Sequence, residues 1–128
     1  MQKKLSEILI GPYVGLSFSD KPLCEPSNEE IARAVRENRL EERGYQKHIQ
    51  QLVAEWNRLS NGNPKLYNDY ERQYHAQRIA FFVVKGWGND PIVLRKDGRS
   101  MHEGLHRVKA AKYVGLETID VVIRADLE

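Results

Sequence analysis

The chain has 128 residues, 41% of them hydrophobic and 30% charged, with 20 Lys and Arg set against 18 Asp and Glu. That length suits one domain with a core of its own, and the balanced composition excludes collagen-like and low-complexity chains. No apolar run approaches the roughly 18 residues of a membrane span, and a net charge of +2 leaves no dense basic stripe of the kind that lives on phosphate backbones.

The first ten residues are too short and too polar for a signal peptide. The single cysteine, Cys24, has no internal partner, which suits a reducing, cytoplasmic setting. It lies between Pro22 and Pro26 in a loop and reads as a packed thiol rather than a nucleophile.

Ile8 to Phe18 is β-rich and broken by Gly11, Pro12 and Gly15, so one short strand, a turn and a second extended piece are expected there. Ser19 to Pro26 reads as a loop. Ser27-Asn28-Glu29-Glu30 matches a capping box and predicts a helix to about residue 43, with Ile31, Ala34 and Val35 facing inward. After Gly44, the series Tyr45, Ile49, Leu52, Val53, Trp56 and Leu59 keeps helical spacing until Asn61-Gly62-Asn63-Pro64 stops it. Leu66 to Lys85 also reads as a helix, ending near Gly86; Phe81-Phe82-Val83-Val84 has strand propensity, but no turn separates it from Tyr74.

Pro91-Ile92-Val93-Leu94 then reads as a buried strand, Lys96-Asp97-Gly98-Arg99 as a turn and Ser100-Met101-His102 as the returning strand. A helix carrying Leu105, Val108 and Ala111 follows, closed by Gly115, and residues 117–123 form a last strand. The fold class is α/β or α+β, with a small mixed sheet and a helical middle.

Two readings compete for residues 102–107. In the first, a strand ends at Glu103-Gly104 and turns into a helix whose N-terminal amides attract a phosphate. Gly104 lets the backbone approach an oxyanion, Arg107 and His106 donate to it, and Glu103 serves as base or metal-anchoring carboxylate. In the second, His102-Glu103-Gly104-Leu105-His106 is the H-E-x-x-H pattern of a zinc protease. That pattern needs one helix across all five residues and a third ligand, and Gly98 and Gly104 speak against the helix.

The pieces Pro91-Ile92-Val93-Leu94, Asp97-Gly98-Arg99, Glu103-Gly104-Leu105-His106-Arg107, Ala110-Ala111-Lys112, Gly115-Leu116 and Ile119 to Ile123 occur in an order that resembles the ParB/sulfiredoxin superfamily. The resemblance covers about a quarter of the chain. It implies a family-like core over about residues 66–124 within one domain of 128 residues, with residues 19–65 a helical insertion or N-terminal elaboration. It also implies a nucleotide-phosphate site at Gly104, His106 and Arg107, with Mg²⁺ and ATP or CTP as ligands, and NTP hydrolysis or phosphotransfer as the activity. Leu105 stands where sulfiredoxins carry their reactive cysteine, so that chemistry is excluded. The chain shows no helix-turn-helix after its last predicted strand, which argues against a partition clamp. A DNA-binding protein or nuclease using the same pocket is the alternative. A further alternative is an interaction protein of a phage or mobile element, whose partner docks on residues 28–85.

Overall fold

Ser27 does what its position suggests. Its hydroxyl accepts from the Glu30 amide at 3.1 Å while the Glu30 carboxylate accepts from the Ser27 amide at 3.0 Å, so two of the free donors at a helix start are met reciprocally. The computed structural model describes residues 1–9, 25–88 and 90–127. Cys24 and most of the expected 8–18 strands and 19–26 loop lie outside them.

In chain order the elements are β1 (Gln2–Lys4), a 3₁₀ turn (Leu5–Glu7), α1 (Asn28–Arg36), α2 (Ile49–Ser60), α3 (Pro64–Lys85), β2 (Ile92–Leu94), β3 (Met101–Glu103), α4 (Leu105–Tyr113) and β4 (Thr118–Ile123). The fold is α+β, and its strands form one mixed sheet in the order β1-β4-β2-β3. β2 runs parallel to β4, with Ile92, Val93 and Leu94 opposite Val121, Val122 and Ile123, and the two outer pairings are antiparallel. Past the 3₁₀ turn the chain reaches the opposite edge, where Leu9 bridges Ser100.

α1, α2 and α4 all pack on α3. One face of α3 brings Ala76 and Ile79 into the core of the sheet and α4, with Ile92, Leu94, Met101, Val108 and Val121 among its members. Another face sets Tyr74 against Leu52 and Trp56 of α2, with Tyr45, Tyr67 and Tyr70 around them. A helix buried on two sides needs apolar residues on both. Phe82 packs against the first of these clusters, and Phe81 and Phe82 both belong to α3 and not to a strand. Asn63 caps α3, its side chain accepting from the Lys65 amide at 3.0 Å, and Pro64 supplies the first helical residue.

Three boundaries differ from the sequence reading. α1 ends at Arg36 rather than near residue 43, because Asn38 adopts φ 54° and the Arg39 amide turns back to Ala34 O at 2.9 Å. α2 begins at Ile49 rather than at residue 45. Tyr45 sits in the turn before it, yet its ring still stacks on Trp56 at 6.4 Å, which extends the apolar spacing beyond the helix. β1 falls at Gln2–Lys4, in a polar edge segment where no strand is expected. It is held through backbone pairing with β4. Among the described residues, no helix is long and apolar enough to cross a membrane.

Candidate functional site

β3 ends at Glu103, Gly104 turns the chain, and α4 starts at Leu105. Gly104 has φ 117° and ψ 24°, a backbone region that L side chains rarely adopt. A Cβ there would lie 2.5 Å from Ile92 Cδ1, in the buried wall formed by β2. The glycine is therefore demanded by packing as well as by the turn. The expectation that it exists to let an oxyanion approach is not needed to explain it.

No side chain caps α4 among the described residues. The amides of Leu105, His106 and Arg107 start the helix, and the first intrahelical bond runs from the Val108 amide to Gly104 O at 2.9 Å. This end opens on a cleft of about 220 Å³, walled by residues 102–107, by Arg78 and Phe82 of α3, and by residues 44–47 ahead of α2. Residues 41–44 are pinned to α3 and α2. The Tyr74 hydroxyl donates to Arg43 O at 2.6 Å, the Glu41 amide to Gln77 O at 3.1 Å, and Arg43 pairs with Glu41 and Glu55.

The cleft is cationic. Lys47, Arg78 and Arg107 line it, and Glu103 is its one carboxylate among the described residues. Arg107 donates through Nη1 to the carbonyls of Asp90 and Pro91 at 2.9 and 3.1 Å, tying α4 to the start of β2. Arg78 donates through Nη1 to the carbonyls of Glu41 and Glu42 at 3.1 and 2.8 Å and lies over the Phe82 ring, 4.5 Å from its centroid. Elsewhere the arginines pair differently: Arg33, Arg43, Arg72 and Arg124 each meet a carboxylate. The two cleft arginines thus donate to neutral carbonyls, while the carboxylates of Asp90 and Glu103 act on Arg107, and that of Glu41 on Arg78, through charge alone. Burial pulls both guanidiniums below their ordinary range, and for Arg78 the neighbouring Arg107 adds to the effect.

The structure therefore brings Glu103, Gly104, His106 and Arg107 together at one cleft. Glu103 is exposed at its rim. His106 Nε2 lies 2.8 Å from Nδ1 of His75, a buried residue of α3. Burial drives the His106 imidazole well below its usual value, and His75, Arg78 and Arg107 push the same way, so the ring is neutral at physiological pH. The sequence reading missed Tyr45, Lys47, His75 and Arg78, none of which carries a local motif.

The zinc-protease geometry is not formed. His102 belongs to β3 and His106 to α4, with Gly104 turning between them, so the two imidazoles do not share one helix face. No group of three His, Cys, Asp or Glu side chains is arranged to hold a metal among the described residues. His102 also walls the cleft, and its Nδ1 is buried without a hydrogen-bond partner among those residues.

Comparison with protein-family models, curated proteins and solved structures finds no match to this chain.

Proposed function

We propose that the cleft binds the phosphates of a nucleoside triphosphate. Uncapped amides at the start of α4 face the anion, and Arg107 and Arg78 neutralise it. His106 and Gly104 complete the wall. The observation that carries this reading is the pair of partly buried arginines bonded to carbonyls instead of carboxylates. At about 220 Å³ the cleft is smaller than the roughly 300–1,000 Å³ that encloses a drug-sized ligand. It therefore takes the phosphate tail, and the base lies outside.

Glu103 acts at the rim, where it takes the proton of an attacking water or hydroxyl. Among the described residues it is also the one carboxylate of the cleft that could reach Mg²⁺. A single carboxylate beside substrate phosphates suits a Mg²⁺ that arrives with ATP or CTP. Such an ion supplies charge neutralisation of the phosphates. The test is thermal denaturation with ATP, CTP and Mg²⁺. Stabilisation of the native chain, and a smaller ligand-induced increment in Arg107→Ala measured against its own ligand-free melt, is expected. No increment for any nucleotide at millimolar concentration overturns the proposal.

The openness of the cleft favours one second reading, in which a backbone phosphate of DNA occupies it. Binding would then weaken steeply with salt, whereas nucleotide binding survives moderate salt.

A further inference from the structure

His75 is 1% exposed, and its bond to His106 places two imidazoles back to back between α3 and α4. Their planes differ by only 24°, so the shared hydrogen lies close to both rings. A buried polar side chain is informative where an apolar one would pack as well. Here the inner ring is wedged among aromatics, 5.5 Å from Tyr45 and 5.3 Å from Tyr74, while the outer ring walls the cationic cleft.

We infer that His75 is a positioning residue for this cleft: it accepts the Nε2 hydrogen of a protonated His106, so that an anion is bound together with one proton. The inference rests on the anion-binding reading above and adds its regulation by pH. Between two neutral imidazoles one nitrogen donates and the other accepts. When His106 is charged both its nitrogens carry hydrogen, and the Nδ1 of His75 becomes the acceptor that keeps the buried donor satisfied.

The surroundings decide when this happens. Arg78 from α3 and Arg107 on α4 oppose a further positive charge, and Lys47 lines the same cleft from the segment before α2. Burial pushes the Tyr74 phenol up, so it stays neutral against the pair, and Tyr45 packs beside the inner ring. From β3, His102 and Glu103 reach the cleft, Glu103 at its exposed rim. In the empty cleft burial, and after it the charges of His75, Arg78 and Arg107, keep His106 neutral. A dianion offsets the arginines and favours the imidazolium.

Sulfate is the probe, because it is a dianion with no titrating proton between about pH 5 and 8, the range in which imidazole changes charge. Its affinity for the native chain is expected to rise as pH falls, by up to about tenfold per pH unit where one proton is taken up. The ¹⁵N signals of the His106 ring should pass from neutral to charged on adding sulfate at constant pH. His75→Leu should flatten the dependence, and His75→Asn, whose amide oxygen stands near the Nδ1 position, should restore it. Sulfate binding that is flat with pH overturns the inference and leaves the proposed function standing. So does a wild-type slope in His75→Leu. Absence of sulfate binding at every pH also overturns it, and nucleotide stabilisation in the same preparation then shows whether the anion site itself falls.

Discussion

Replacing Gly104 with alanine probes the turn that sets the whole site. Two separate penalties follow from the geometry. An L residue at φ 117° carries backbone strain of about 1–3 kcal/mol. The new Cβ, 2.5 Å from Ile92 Cδ1, overpacks a core in which Ile92 is fully buried, for about 1–3 kcal/mol more. Together Gly104→Ala should cost roughly 2–6 kcal/mol, and at about 3–6 °C per kcal/mol for a domain of this size the melting temperature falls well beyond experimental scatter. Urea denaturation at equilibrium measures it, with the slope m expected to stay unchanged.

The two penalties separate in a double-mutant cycle. Ile92→Val removes the Cδ1 that the new methyl would strike and by itself costs about 0.5–1.5 kcal/mol. In that background Gly104→Ala should retain mainly the backbone share, giving a coupling of about 1–3 kcal/mol. A Gly104→Ala cost under about 0.5 kcal/mol, or one that is equal in both backgrounds, would refute the reasoning.

Other expectations follow from the same structure. Arg107→Ala removes two bonds from a charged donor to the carbonyls of Asp90 and Pro91, and chemical denaturation should show a loss of about 1–3 kcal/mol; Arg107→Lys should recover little of it, since a point charge does not reproduce the planar fork. Ser27→Ala breaks the capping box and should cost about 0.5–2 kcal/mol, read as increased amide exchange in the first turn of α1. Tyr74→Phe deletes the 2.6 Å bond to Arg43 O and should cost about 0.5–1.5 kcal/mol. The His106 imidazole is depressed below 6.5 in the folded chain, so between the folded and unfolded values the unfolded chain binds more protons. Stability is therefore full above about 6.5 and falls as the pH drops through the folded value. His106→Asn should lessen that acid loss in urea titrations taken across the range.

Much of the fold was legible where local chemistry speaks alone. Ser27 and Glu30 announced α1, Asn63-Pro64 announced the stop of one helix and proved also to start the next, and residues 91–123 followed the strand–turn–strand–helix–strand order read from their spacing. Boundaries failed where tertiary burial mimics periodicity. Tyr45 keeps helical spacing with Trp56 because both rings share one cluster, although only Trp56 is helical. β1 was hidden because an edge strand pairs through its backbone and needs no apolar alternation. At the site, Glu103, Gly104, His106 and Arg107 were visible as a contiguous run. His75 and Arg78 were not, because a hydrogen bond spanning 31 residues and carbonyl contacts spanning 36 and 37 residues leave no mark in local sequence.

The central claim, that the start of α4 and its two arginines hold the phosphates of a nucleotide, is tested most directly by amide and guanidinium NMR shifts during titration with ATP or CTP and Mg²⁺. The largest saturable shifts are expected at the amides of Gly104, Leu105, His106 and Arg107 and at the Nε–H groups of Arg78 and Arg107. Shifts that are absent, or that centre on another surface while these signals stay still, contradict it.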